Sequence, residues 1–245
     1  MPITVICARG TGEVVGSASN MLAQLATLLD PAKYEIGADI PYPASVGPVG
    51  SSGVWGPSES ASVAAGLPLI ADAIRATPNL VGLCGYSLGA ELVSAFLEAQ
   101  ARGEYADCEL AWAAVVANPN RAPGESIDPG ATGAGINGPH GPWPDIPVWT
   151  AANPLDGITS CPARSPLHAL ANGMSAFSFA ELGGWTESLA HQLISGEWLN
   201  EQYTPGQLLR AGQLMLGYLL GGQHTTEYIR GGYLERLAGH INAVR

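Results

Sequence analysis

The order of segments along this chain predicts an α/β fold, a parallel β-sheet with helices packed on both faces. Three observations carry that expectation. Short apolar or β-branched runs recur at 3–8, 34–40, 79–84, 109–118 and 146–153. Segments with apolar residues at helical spacing stand between several of them. A hydrophobic content of 47% over 245 residues is ample for one sizeable core, so a single domain over 1–245 is expected. Strands alternating with helices pair in parallel, because each crossover returns the chain to the edge where it started.

The first run, ITVICA (3–8), leads into the glycine-containing loop RGTGE. A helix is expected over 18–30, where Met21, Leu22, Leu25, Leu28 and Leu29 share a face. The strand at 34–40 precedes a loop rich in Pro, Gly and Ser (41–58) and a helix over 59–76 that stops before Pro78. NLVGLC (79–84) reads as a buried strand and ELVSAFLEAQ (91–100) as the start of a helix. ELAWAAVVAN (109–118) is another buried strand, whereas 119–145 carries too much Gly and Pro for anything but loop. The strand at 146–153 begins after Pro147. Residues 166–221 read as a helical insertion, although LMLGYLL within them would place the next loop at the sheet edge if it formed a short strand. A closing helix over 226–243 gathers Tyr233, Leu234, Leu237 and Ile241 into one stripe.

Charge and cysteine usage narrow the function classes. Ten Lys plus Arg against 21 Asp plus Glu give a net charge of −11, a field that repels phosphate backbones and anionic membranes. Nucleic acid is therefore not an expected partner. No window approaches the ~18 consecutive apolar residues of a membrane span, and the opening MPITVICARG lacks the features of a Sec-type leader. Cys7, Cys84, Cys108 and Cys161 have no CxxC spacing and no ligands nearby; disulfides are disfavoured, with Cys108–Cys161 the pair hardest to dismiss. With no H-E-x-x-H or similar spacing, neither a metal nor another cofactor is expected.

The chemistry centres on Gly85-Tyr86-Ser87-Leu88-Gly89. In a chain with 32 glycines this motif alone is weak, but here a strand precedes it and a helix follows. That setting makes G-x-S-x-G a nucleophile elbow, a turn so tight that its flanking positions need glycine. A serine hydroxyl needs a base to take its proton and a carboxylate to orient that base. Asp156, in the turn NPLDG, emerges at the same sheet edge as Ser87, although an Asp before Gly also reads simply as a turn former. Asp145 precedes the same strand and projects about 20 Å away, while Asp128, in mid-loop, stays open as an alternative.

Among five histidines, His140 sits in a Gly/Pro loop, and His168 and His191 sit in the helical insertion. His224, in the loop GGQHTTEY, suits a base better than His240 inside the closing helix, but the sequence leaves both open. An oxyanion hole would draw on the N–H of Leu88, next to the nucleophile, and on Thr11 in the loop after the first strand. Blandly read, RGTG is a surface turn.

Together these residues resemble the cutinase-like branch of the serine α/β-hydrolases. The resemblance rests on ARGTGE (8–13), YPAS (42–45), GYSLG (85–89), Asp156 in its turn, and His224 with Tyr228, one residue longer than H-x-x-Y. It spans the chain apart from 166–221. Within that branch the chain is most similar to phage lysin B esterases, which add a helical segment between acid and histidine. The resemblance implies hydrolysis of the ester joining mycolic acids to arabinogalactan, a lipid ester of the host envelope. It also implies synthesis in the host cytoplasm without a signal peptide and action at the envelope after lysis. Departures are Leu88, where the branch often has Gln, and Cys161, which has no cysteine partner close before the acid. The apolar residues Phe177, Phe179, Trp185 and Trp198 would shape a lipid-facing groove or simply pack between helices. The alternatives are a cutinase-like lipase or esterase for other lipid or polysaccharide esters, and a non-catalytic binding module on the same scaffold.

Overall fold

The computed structural model describes residues 1–47, 57–168 and 203–244. Five strands form one wholly parallel sheet: β1 (Ile3–Ala8), β2 (Tyr34–Asp39), β3 (Val81–Tyr86), β4 (Leu110–Val116) and β5 (Val148–Ala151). Their order in space is β2-β1-β3-β4-β5. Chain direction across the sheet reverses once, after β2, so the crossover to β3 passes over β1. Helices follow that reversal. α1 (Met21–Ala26) lies on one face, and α2 (Glu59–Arg75) and α3 (Leu88–Ala101) lie on the other. A single crossover hand puts helices on opposite faces when the direction reverses, and leaves a crevice at the carboxyl ends of the two strands between. Here those strands are β1 and β3.

Strand periodicity divides the core. Ile6, Leu83, Ala113 and Val115 point toward α2 and α3, where Ile70, Leu92, Phe96 and Leu97 bury against them. Val5, Cys84, Trp112, Ala114 and Val116 point the other way, toward α1 and toward Leu234, Leu237 and Ile241 of the closing helix. Each fully buried Leu or Phe contributes about 1.5–3 kcal/mol. β3 is buried along its whole length, whereas β2, at the sheet edge, buries only Tyr34. That difference matches a continuous apolar run in the one and a mixed run in the other.

Several sequence-based expectations need correction. The first helix is shorter than 18–30, because Asn20 Nδ2 bonds the Val14 carbonyl at 2.7 Å and holds the preceding residues in a turn. The segment containing LMLGYLL is not a strand. It belongs to α4 (Pro205–Leu219), started by Pro205 and by a capping box between Thr204 and Gln207. The closing helix is two helices, α5 (Thr226–Arg230) and α6 (Tyr233–Asn242), parted by Gly231 and by Gly232 at φ +75°. Residues 119–145 form no helix or named strand, as expected; Ala134 makes one isolated antiparallel bridge to Cys161.

All four cysteines are buried free thiols, so Cys108 and Cys161 are not joined. Of the expected insertion 166–221, α4 is helical as read. His191, Phe177, Phe179, Trp185 and Trp198 lie outside the described residues. Among the described residues, no helix is long and apolar enough to cross a membrane.

Gly82 of β3 packs closely against Trp112 of β4. A β-carbon at Gly82 would lie 2.1 Å from the Trp112 indole, itself fully buried against Tyr34 in an edge-on contact. Gly82→Ala is expected to destabilise the fold by roughly 1–3 kcal/mol, seen as a lower denaturation midpoint in urea.

Candidate active site

Ser87 occupies the turn between β3 and α3 at φ +54°, ψ −119°. A non-glycine residue there carries roughly 1–3 kcal/mol of backbone strain, which the surroundings hold in place. Its N–H bonds the Val116 carbonyl of β4 at 3.0 Å, and its carbonyl accepts from the N–H groups of Ala90 and Glu91. The two motif glycines are steric necessities. A β-carbon on Gly85 would sit 2.4 Å from the Gly89 carbonyl oxygen; one on Gly89 would sit 1.9 Å from that of Ala8. The first turn of α3 thus lies directly on the end of β1, and Ser87 is presented at the crevice.

Asp156 emerges from the turn after β5, at the same edge. Its own N–H closes that turn on the Asn153 carbonyl, and its Oδ1 accepts from the Ile158 N–H at 3.0 Å. The carboxylate is wholly buried. His224 follows α4 in a loop bent by Gly222 at φ +62°. Its Nδ1 lies 2.8 Å from Asp156 Oδ2 and its Nε2 lies 2.8 Å from Ser87 Oγ. Because an ionised carboxylate only accepts, Nδ1 carries the proton, and Nε2 is left to accept from the serine hydroxyl. This is the arrangement of a serine hydrolase catalytic triad, in the α/β-hydrolase order Ser, Asp, His.

Neighbouring contacts fix the imidazole. Tyr86 donates to the His224 carbonyl at 2.7 Å and its ring stacks on the imidazole at 5.6 Å between centroids. Tyr218 of α4 packs at 5.2 Å. Asn153 Nδ2 donates to both the carbonyl and the side-chain oxygen of Gln223, tying the acid's loop to the base's loop. Tyr228 donates to Asp156 Oδ2 at 2.9 Å.

The structure also separates the alternatives. His240 is exposed on α6, its ring 6.4 Å from that of Trp149. Asp128 is buried but engaged elsewhere, accepting from Arg236 Nε at 2.6 Å and from the Ala152 N–H. Asp145 is exposed before β5, at the far end of that strand. His140 pairs with Glu125 and stacks on Trp143, and His168 binds the carbonyls of Ile136 and Pro162. Thr11 and Leu88 line the same cavity of about 200 Å³ as Ser87 and His224, alongside Val46, Ile136, Ile158 and Tyr218. Among the described residues, no group of three His, Cys, Asp or Glu could hold a metal ion.

The loop that carries Thr11 is braced by residues whose part the sequence did not reveal. Arg9 is buried and donates to the carbonyls of Glu13, Ile40 and Tyr42, while Tyr42 returns a bond to the Arg9 carbonyl. Glu13 accepts from the N–H groups of Gly10 and Met21, both at 2.7 Å. ARGTGE and YPAS therefore form one hydrogen-bonded unit beside the nucleophile, and RGTG is not a free surface turn. The glutamate three residues after Gly10 was the available signal, since that spacing suits a side chain reaching back to a backbone N–H.

No protein-family model and no curated relative matches this sequence. Solved structures to which the chain aligns include an acetylxylan esterase, at 20% identity and TM-score 0.48, covering 74% of this chain and 97% of that one. A cutinase-like protein from Cryptococcus sp. aligns at 21% identity and TM-score 0.46, over 65% of this chain and 79% of the other. Lysin B from Mycobacteriophage D29 aligns at 20% identity and TM-score 0.48, over 69% and 70%.

The cavity has one polar wall that sequence reading missed. Glu59 at the start of α2 meets Glu91 in the first turn of α3, and Asn137 Nδ2 bonds Glu59 at 2.7 Å and Glu91 at 3.3 Å. Burial first, then the neighbouring Glu59 carboxyl, push Glu91 up to about 9 from an ordinary 4.5. The folded protein therefore keeps a proton that the unfolded chain releases. The stability that goes with it is complete below about pH 4.5 and is lost progressively as pH rises toward 9. Glu91→Gln is expected to raise Tm by several degrees at pH 8 and to leave it nearly unchanged at pH 4, by differential scanning calorimetry.

Proposed function

We propose that this protein is a serine esterase whose target is the ester joining mycolic acids to arabinogalactan in the actinobacterial envelope, cleaved during phage-induced lysis. The observation that carries the esterase reading is the continuous hydrogen-bonded line from Ser87 Oγ through His224 to buried Asp156. The choice of ester rests on the motif resemblance of residues 8–13, 42–45, 85–89, 156 and 224–228 to lysin B esterases. Apolar Val46, Leu88, Ile136 and Ile158 in the cavity suit an acyl chain, and the Glu59, Glu91 and Asn137 wall suits a hydroxyl-rich alcohol.

Chemistry follows from the geometry. As Ser87 Oγ attacks the ester carbonyl carbon, its proton passes to His224 Nε2, and Asp156 stabilises the imidazolium that results. The N–H of Leu88, the first residue of α3, has no preceding helical carbonyl to bond and is assigned to the developing oxyanion with Thr11. Collapse of the tetrahedral intermediate breaks the carbon–alkoxy bond, and the alcohol leaves with the proton from Nε2. Water then attacks the acyl-serine by the same proton route, releasing acid and free Ser87.

A second reading is a cutinase-like lipase or esterase for other lipid or polysaccharide esters. The same polar wall favours it, since hydroxyl groups of many sugars fit that chemistry equally.

The wild-type protein is expected to hydrolyse p-nitrophenyl acyl esters and to label with a fluorophosphonate probe. Ser87→Ala and His224→Ala should each lose activity by at least ~10⁴-fold, while His240→Ala retains it. Full turnover by Ser87→Ala would end the esterase reading. Release of mycolates from isolated walls, set against release of acids from triacylglycerol or acetylated polysaccharide, decides between the two substrates.

A further inference from the structure

The acid of the triad receives more than the histidine requires. Asp156 Oδ2 accepts two hydrogen bonds, one from His224 Nδ1 at 2.8 Å and one from the Tyr228 hydroxyl at 2.9 Å, while Oδ1 accepts from the Ile158 N–H. Tyr228 is itself fully buried, and its oxygen accepts from the Asn153 N–H at 3.1 Å. A directed chain therefore runs from the Asn153 N–H through the Tyr228 hydroxyl to Asp156 Oδ2, the same oxygen that the base uses. Tyr228 lies four residues beyond His224 and Asn153 lies three before Asp156, so one phenol links the segment of the acid to the segment of the base.

Resting on the serine-esterase reading, we propose that Tyr228 is a positioning residue for the reaction, sharing Oδ2 with His224 and so setting both the orientation of the carboxylate and its pull on the imidazolium. A donor on either oxygen draws charge from the delocalised carboxylate, and one on Oδ2 does so at the atom that His224 uses. A donor on Oδ2 competes directly with His224 Nδ1–H for electron density, and a carboxylate that shares its charge stabilises the imidazolium less. The phenol is kept as a donor by its surroundings. Burial first, then the adjacent Asp156, push its ionisation well above the ordinary tyrosine range. Other titratable groups around the pair are Tyr86 on β3, Tyr218 on α4, Tyr233 on α6 and the buried Arg121 guanidinium in the loop after β4.

The test is Tyr228→Phe, followed by ester hydrolysis across pH. The expected result is kcat lowered about tenfold with KM little changed, and the acid limb of kcat/KM moved upward by about half a pH unit or more. The upward sign follows because Oδ2, bound to His224 alone, holds the imidazolium more strongly. A second variant guards against simple misfolding. Site-specific 3-fluorotyrosine at 228, of nearly the same shape but a stronger donor, should move the acid limb downward. An unshifted limb in both variants, or a fall in kcat without any shift, reduces Tyr228 to core packing and overturns the proposal. If the wild type neither turns over esters nor labels at Ser87, the esterase reading falls and the role of Tyr228 falls with it. If the wild type is active and both variants match it in rate and limb, Tyr228 alone is removed.

Discussion

The contact between the first turn of α3 and the end of β1 is the constraint on which the rest of the site depends. With only the hydrogen atoms of Gly85 and Gly89 in the way, helix and strand backbones meet at distances that any side chain would block. That approach compresses the turn and forces Ser87 into its positive φ. It also sets the first N–H groups of α3 beside the loop carrying Thr11. The nucleophile and the start of α3 are thus placed by one packing event, and the strain is borne by a β3 strand buried from end to end.

Around that point the molecule is organised by parallel pairing. Because β1, β3 and β5 run the same way, the loops after them open at one edge, and those loops supply Thr11, Ser87 and Asp156. His224 arrives by a different route, from the turn between α4 and α5. Its position is secured from three sides, by Tyr86 beneath it, by Asn153 holding Gln223, and by Asp156. A base held by loops can take up and return a proton without moving its backbone, which suits catalysis in a preformed site.

Electrostatics in the cavity are uneven. One wall is apolar; the other pairs two glutamates and an asparagine, with Glu91 held protonated near neutral pH. In a chain of net charge −11, a protonated Glu91 keeps one more negative charge out of the cavity. Buried Arg121 does a related task elsewhere, holding the carbonyls of Thr132, Gly133 and Thr159 so that a long glycine-rich loop has a defined path.

The sequence by itself determined the alternation of elements and the elbow at Ser87, because each is a local pattern of a few neighbouring residues, whereas Asp156 was separated from Asp128 only by the fold. Strand runs, helical spacing and the placement of Gly and Pro are all short-range signals. Even so, helix ends were misjudged where a side chain such as Asn20 captured a carbonyl, and where Gly232 allowed a left-handed turn. Only the tertiary structure chose His224 over His240, brought Tyr228 to Asp156, and set Glu59 against Glu91. Those pairings join residues far apart in the chain, 137 positions between Ser87 and His224 and 72 between Tyr228 and Asp156. No local pattern encodes such a distance; it exists only once the sheet has closed and the helices have packed on both of its faces.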